Sequence, residues 1–531
     1  MKTLLKNGML YDGTGAPGTR ADLLIGDDRI ERIAPDLGAE ADRVFDLAGL
    51  SVSSGWIDGH SHNDWFAVKK DPLPYFEPFI RQGITTFVCG NCGVSEAGFE
   101  KDSPHQDCIG AGLFTFDGTT GRYGSVRELF DAVDRNMPCN IAELAGHCTA
   151  RAAVAGFENR PLTPDEEKKM LSILEKALQE GAAGLSLGLM YQPGLYADTR
   201  ELKKVADLCV RYGRPLTVHP RAESRVSMDY PLLGRAHILR ALDELKEIAA
   251  GTPLKLQYSH CIFVGRSTFR YKDEVLRILR EITDSGADAM FDIYNETLGV
   301  SVITVILPAW YQGMTPAERA KPLTRLKLAA LVRISSLLLG FGFKDIQVAY
   351  IGPGFEKYEG KTVSEIARVE GMSELDAYLM LCEKSNFTGR VNMGPYSTQE
   401  IIHDFEKNDR CLFITDAWVE DHGVQNPAVY DCYPKFLRDS LLGLGGPLPD
   451  TLRKMTGAVA DRFQLKNRGY LKKGYYADLT VFDEKALREG TPDQGRPFGV
   501  EKVFINGRCV LDGEALDTAA LKTSGRALPV T

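Results

Sequence analysis

The sequence predicts an α/β protein, a (β/α)8 TIM barrel with a small β-sandwich formed by both termini. Three observations predict it. Short apolar or β-branched runs alternate with amphipathic stretches through the middle of the chain, the pattern of repeated βα units. Residues 1–53 and 466–531 instead carry strand and turn signals, so the two ends read as one small β domain flanking a barrel at 54–465. The residues able to carry chemistry fall at the C-terminal tips of the predicted parallel strands, where barrels build their sites. With 531 residues, 44% of them hydrophobic, the chain can bury a core of that size.

At the N-terminal end, Ala21–Ile30 alternates in part and breaks at turn residues, as a hairpin does. Gly13-Thr14-Gly15-Ala16-Pro17-Gly18 matches a dinucleotide-loop pattern in form only. Pro17 lacks the N–H such a loop needs and a strand follows instead of a helix, so it is a turn. Strand-like runs then occur at Val52–Ile57, Ile84–Val88, Ile141–Leu144, Ala183–Leu187, Leu216–Val218, Leu254–Tyr258, Met290–Tyr294, Ile346–Ile351 and Cys411–Ile414. That is one more than a barrel uses, and Ile346–Ile351 is assigned to an insertion of about residues 298–364 in a long βα loop. The clearest helix starts at Thr163-Pro164-Asp165-Glu166, a capping box with proline in its first turn, and stops near Gly181. At the C-terminal end, Ala477–Phe482 reads as a strand, and Asn506-Gly507 between two apolar runs is a hairpin turn. A doubly wound open sheet shows a similar alternation, so periodicity alone does not close the barrel.

Composition excludes several classes. The 63 Lys and Arg against 72 Asp and Glu leave a net charge of −9, so no basic face for nucleic acid is expected. Eleven scattered cysteines read as reduced thiols in a cytoplasmic protein rather than a disulfide framework. Cys89-Gly90-Asn91-Cys92 is a CxxC, but no second pair completes a zinc ribbon and no thioredoxin-like unit surrounds it. The start of the chain is interrupted by Lys6 before a signal-peptide core could form. The most apolar stretch, Leu326 to Phe343, carries Lys327 and Arg333 and is too short to span a membrane.

The chemistry centres on His60-Ser61-His62, just after the first barrel strand. Residues i and i+2 of an extended segment point the same way, so both imidazoles can reach one ion. Cys92 follows Thr85–Val88, His219 ends Pro215–Val218, His260 follows Leu254–Tyr258, and Asp416 follows Cys411–Ile414. Taken singly, any of these is more simply a hydrogen-bonded core histidine or a buried thiol. Together at one barrel face they form a nitrogen, sulfur and oxygen donor set suited to Zn2+.

These residues sit within motifs that resemble the amidohydrolase superfamily and, within it, the N-acyl-D-amino-acid deacylases. The resemblance runs along nearly the whole chain, through Ser54–His62, Gly90-Asn91-Cys92-Gly93-Val94-Ser95, Gly146-His147, Leu189–Ala197, Ser259-His260, and Asn467–Leu471 with Gly474–Leu479. It implies a zinc-dependent hydrolase of linear amide bonds acting on a small N-acylated substrate. Cys92, His219 and His260 would hold a tight Zn2+, and His60 with His62 a weaker second site near Asp416. Asp416 would act as general base and then general acid. The carboxylated lysine found after the fourth strand of cyclic-amide relatives has no counterpart in Ala183–Gly188, and the resemblance implies the Cys92 thiolate as its substitute.

Substrate contacts are expected from Tyr191, Arg221, Tyr294, Glu296 and Trp418. Arg221 could pair with a substrate carboxylate or instead with Glu223 or another acid. His147 and Arg151 match a family stretch without a derivable role. The chain departs from the deacylases at Ile262 and Glu296, at Thr415-Asp416-Ala417-Trp418, and at Tyr433-Pro434-Lys435, so the metal chemistry reads as kept and the substrate grip as altered toward a less acidic, cationic or aromatic acylated amine. Another superfamily activity (on a cyclic amide, a dipeptide or by deamination) and a non-catalytic barrel are the alternatives. Neither nucleic acid nor membrane is expected as a partner, and a homo-oligomer is compatible with the sequence without being specified by it.

Overall fold

A computed structural model describes the chain apart from residues 39, 113–122, 191, 228–229, 231–233, 313 and 491–497. The N-terminal strands are β1 (Lys2–Tyr11), β2 (Thr19–Gly26), β3 (Arg29–Ala34), β4 (Arg43–Asp46) and β5 (Ser51–Ser54). They are followed by β6 (Trp56–Asp58), β7 (Ile84–Cys89), β8 (Asn140–Gly146), β9 (Gly184–Gly188), β10 (Pro215–His219), β11 (Lys255–Tyr258) and β12 (Asp288–Ile293). After β12 come β13 (Gly299–Val302), β14 (Ile346–Tyr350) and β15 (Arg390–Met393), then β16 (Cys411–Phe413). The chain finishes with β17 (Leu479–Phe482), β18 (Val500–Ile505), β19 (Arg508–Asp512) and β20 (Ala515–Leu516).

Eight strands pair side by side in the order β16-β12-β11-β10-β9-β8-β7-β6, all parallel, with helices between them in sequence. Such strands are buried on both faces and therefore read as continuous apolar runs. Inward-facing Ile57, Val88, Ala142, Leu144, Ala183 and Leu412 form one cluster with Val459 and Phe463. At the seam between β16 and β6, side chains join the walls. Asp58 accepts from the Thr415 N–H at 3.1 Å and from the Thr415 hydroxyl, and the Tyr433 hydroxyl lies 2.8 Å from both the Ile57 and Phe413 carbonyls.

One expected strand is divided. Val52–Ile57 splits at Gly55, so that β5 joins the terminal sheet while β6 opens the barrel. The backbone passes so close to Thr85 here that a Cβ on Gly55 would lie 2.4 Å from its hydroxyl. The terminal sheet runs β20-β19-β18-β17-β5-β1-β2-β3, with β4 also on β1, around a core of Leu5, Leu23, Ile25, Val52, Val481 and Phe504. Asn506 and Gly507 both have positive φ between β18 and β19, as a two-residue hairpin turn requires.

The long β12 loop carries a separate sheet, β13-β15-β14, and Ile346–Tyr350 is a strand of that sheet and not of the barrel. Its central strand, β15, lies past the 298–364 span expected for the insertion. The helices Val363–Glu370 and Glu374–Lys384 read in sequence like barrel helices but belong to this excursion. The excursion rests on the C-terminal face, where the Phe263 N–H donates to the Tyr396 carbonyl at 2.7 Å. Leu326–Leu339 is most of the helix Pro322–Leu339, and no described helix is long and apolar enough to cross a membrane. The helix Pro164–Gln179 has its capping box, with Thr163 and Glu166 each accepting from the other's backbone N–H.

Candidate metal centre

The loops after β6, β7, β10, β11 and β16 bring six predicted residues together. Cys92 Sγ lies 3.3 Å from His60 Nε2, 3.5 Å from His260 Nε2 and 3.7 Å from His219 Nδ1. His219 Nδ1 and His260 Nε2 are themselves 2.8 Å apart. Asp416 Oδ1 faces His60 Nε2 at 3.5 Å and His62 Nε2 at 3.8 Å, so the two imidazoles of the HxH do address one point. His60, His62, Cys92, His219 and His260 are all buried, whereas the Asp416 side chain keeps 22% exposure and is the group open to an incoming molecule.

The backbone is bent to make this convergence. Cys92, His260 and Asp416 have φ of 52°, 30° and 47°, left-handed values that cost a residue other than glycine about 1–3 kcal/mol each. Cys92 is also flanked by glycines that nothing larger could replace. A Cβ on Gly90 would lie 2.1 Å from the Leu144 carbonyl oxygen, and one on Gly93 would lie 2.6 Å from the Gly188 nitrogen. The Gly-Asn-Cys-Gly motif is thus a tight loop that presents one thiol.

The donor set fits a cation. A thiol has one proton and can serve only one of the three ring nitrogens around it. Burial pushes the Cys92 thiol up, but His60 and the hydrogen bonds from His219 and His260 outweigh it and hold the thiol well below its ordinary range, as a ligating thiolate needs. Burial likewise pushes His60 down, yet Cys92 and Asp416 lift it to about 10. Protons therefore occupy this cluster where a divalent ion would displace them. Among the described residues, His60 with Cys92 and His260, and His60 with His62 and Asp416, each offer ligand atoms within 4.8 Å of one another.

Three contributors were not singled out from sequence. Glu223 touches both His260 and His219 and forms a further potential ligand group with them. Asp292, near the end of β12, accepts from the His260 backbone N–H at 2.6 Å and lies 3.6 Å from His60 Nδ1. Tyr396 comes from the β12 excursion and feels the charges of Glu223 and Asp416, as does Tyr294, both phenols being raised chiefly by burial. Only Glu223 had a local signal, its position four residues past His219, and that spacing has no meaning outside a helix.

The predicted substrate contacts divide. Tyr294 is buried beside the centre, and the Trp418 ring stands edge-on to His62 with centroids 5.5 Å apart. Glu296 forms an ion pair with Lys435, which also reaches Asp431 at 2.9 Å. Arg221 pairs with Glu244 and donates to the Leu195 and Ala197 carbonyls at 2.8 and 2.9 Å, which ties the loop after β9 to the helix His237–Ala249. Tyr191 lies outside the described residues. His147 and Arg151 both bind Glu201, at 2.7 and 3.0 Å, and so brace two helices beside the barrel.

The amidohydrolase family model matches residues 43–254. The D-aminoacylase of Alcaligenes xylosoxydans xylosoxydans is 28% identical over 527 residues, covering 96% of this chain and 95% of that one. The N-acyl-D-glutamate deacylase of the same organism is 27% identical over 515 residues, covering 96% and 93%. A solved D-aminoacylase structure described for its binuclear metal centre superposes with a TM-score of 0.78 at 27% identity, over 99% of each chain. Over nearly its whole length, on a barrel whose strand ends carry a thiol, four imidazoles and a carboxylate, the chain is thus similar to the D-aminoacylases and, in residues 43–254, to the amidohydrolase family.

Proposed function

We propose that this protein is a zinc-dependent hydrolase that deacylates N-acyl-D-amino acids or a related N-acylated amine. The observation that carries the reading is the approach of Cys92 Sγ, His219 Nδ1 and His260 Nε2 to within 3.7 Å of one another, with Asp416 opening the cluster to solvent. Cys92, His219 and His260 would hold the tighter zinc, and His60 and His62 with Asp416 a weaker second ion. When bound, the ion supplies Lewis acidity, polarising a carbonyl and making water nucleophilic near neutral pH.

Asp416 takes the proton of the attacking water and returns it to the leaving amine, acting in turn as base and acid. Burial raises Asp416 above the ordinary carboxylate range, while His260, His60 and His62 pull it down again, which suits a group that must both accept and release a proton. Tyr294 and Trp418 form walls for the substrate. Lys435 is already held between Glu296 and Asp431, and Ile262 adds an apolar group, so the amine side of the substrate need not be strongly acidic. The eleven cysteines, all free, support a reducing cytoplasmic setting.

The test is a panel of N-acetylated D- and L-amino acids and amines offered to zinc-loaded protein, beside metal analysis of the same sample. Hydrolysis of the D- but not the L-configured N-acetylated amino acids, or of an N-acetylated amine, with at least one zinc bound, is the expected result. Turnover of cyclic amides alone, or none with any acylated amine at full zinc loading, would reject the assignment.

A further inference from the structure

Glu223 is a buried acid of the cluster to which the proposed reaction gives no task, and it touches two of the residues read as ligands. It is 3% exposed and lies beyond the end of β10, where its carbonyl accepts from the Val264 N–H at 2.8 Å and so joins the loops after β10 and β11. Its two carboxylate oxygens address two different rings. Oε1 lies 2.8 Å from His260 Nδ1, and Oε2 lies 3.7 Å from His219 Nε2. The opposite nitrogens of the same rings, His260 Nε2 and His219 Nδ1, face Cys92 Sγ at 3.5 and 3.7 Å. One carboxylate thus lies against the outer nitrogens of both imidazoles, within hydrogen-bond distance of His260 and just beyond it from His219, while one sulfur faces both inner nitrogens.

An ionised carboxylate only accepts hydrogen bonds, so a neutral imidazole beside it carries its hydrogen on the nearer nitrogen and its lone pair on the farther one. The two rings enter in opposite senses, and the same acid therefore imposes opposite tautomers. We propose that Glu223 is a positioning residue that holds His219 in the Nε2–H form and His260 in the Nδ1–H form, turning both lone pairs toward Cys92. This rests on the reading of Cys92, His219 and His260 as the tighter metal site, and it adds a single residue on which two of its three ligands depend. Acids placed behind ligating histidines elsewhere contribute roughly 10–100-fold to metal affinity, and serving two rings at once concentrates that dependence in one side chain.

The test pairs a spectrum with a titration. Two-bond nitrogen–proton correlations on zinc-loaded protein labelled at its nine histidines report which ring nitrogen bears hydrogen. The expected result is hydrogen on Nε2 of His219 and on Nδ1 of His260. Hydrogen on the Cys92-facing nitrogen of either ring overturns the proposal, and this measurement needs no variant. Zinc affinity is then compared by chelator competition in the parent and in Glu223→Gln. An amide offers one accepting oxygen and one donating NH2, so it serves one ring and opposes the other, and a loss of roughly 10–100-fold is expected. Equal affinity in a folded Glu223→Gln overturns the role of Glu223 while leaving the metal site standing. A parent that takes up no zinc overturns the metal site and this proposal together.

Discussion

Asp416 combines three properties that rarely coincide by accident: a left-handed backbone, contact with two histidines, and partial access to solvent. Asparagine tolerates the left-handed region about as well as aspartate, so Asp416→Asn changes the charge without adding backbone strain. The expected outcome is a folded, zinc-containing protein whose kcat falls by roughly 10²–10⁴, the usual worth of a general base. Unaltered kcat in a zinc-loaded variant would remove Asp416 from the proton transfer. The base works only when ionised, so activity is lost as pH falls through its pKa. Because burial raises that pKa, the acid limb of kcat/KM belongs above the ordinary aspartate value of about 4. The convergence of the cluster's side chains was legible in the sequence because each follows a recognisable strand, and strand ends share one face of a barrel. Glu223 and Asp292 were not, because what they do depends on a neighbouring ring that only the folded chain supplies. Arg221 shows the reverse: its residue type suits a substrate carboxylate, but Glu244 on the following helix occupies it.

At the scale of elements, the eight barrel strands could be read directly because burial on both faces selects uninterrupted apolar runs. The junction at Gly55 could not, since Val52 and Ile57 are both apolar and nothing local says that they serve different sheets. The extent of the β12 excursion was hidden for a similar reason, its helices having the amphipathic pattern of barrel helices. One buried group links several of these elements. Glu406, at the end of the helix Gln399–Glu406, accepts from Asn295 beyond β12 at 3.1 Å and lies beside Asp439 on the helix Ala428–Leu441. Burial, then Asp439, pushes its pKa up to about 9. Its unfolded value is about 4.3, so the folded state holds the extra proton between the two and stability falls as pH rises through that window. Glu406→Gln removes the charge and with it this part of the pH dependence. The melting temperature of the variant relative to the parent should therefore climb from about pH 5 to about pH 9. A difference that stays flat across that range would show that Glu406 is ionised in the folded protein.

At the scale of the molecule, the proposed ion site and the barrel seam are the same problem. Strand pairing runs continuously from β6 round to β16, and the remaining seam is crossed by the Asp416 N–H to the His60 carbonyl at 3.3 Å and by the side chains of Asp58, Thr415 and Tyr433. His60 and His62 leave β6, Asp416 leaves β16, and Cys92, His219 and His260 come from three strands between them, so cations held by these residues connect both edges of the open seam through their side chains. A ligand that binds only the folded state stabilises it by about 2.7 kcal/mol at a hundred times its dissociation constant. Zinc added to chelator-treated protein should accordingly raise the melting temperature, more at higher zinc concentration. Cys92→Ala should lose most of that rise. Tyr433→Phe should instead lower the melting temperature with and without zinc, by the equivalent of about 1 kcal/mol for one hydrogen bond, and should keep the zinc-dependent rise, because the hydroxyl braces the seam without touching the ion. The three proteins melted in parallel separate the two contributions. A zinc response in Cys92→Ala as large as in the parent would place the stabilising ion elsewhere. Loss of the response in Tyr433→Phe would mean that the seam must be closed before the ligands can meet.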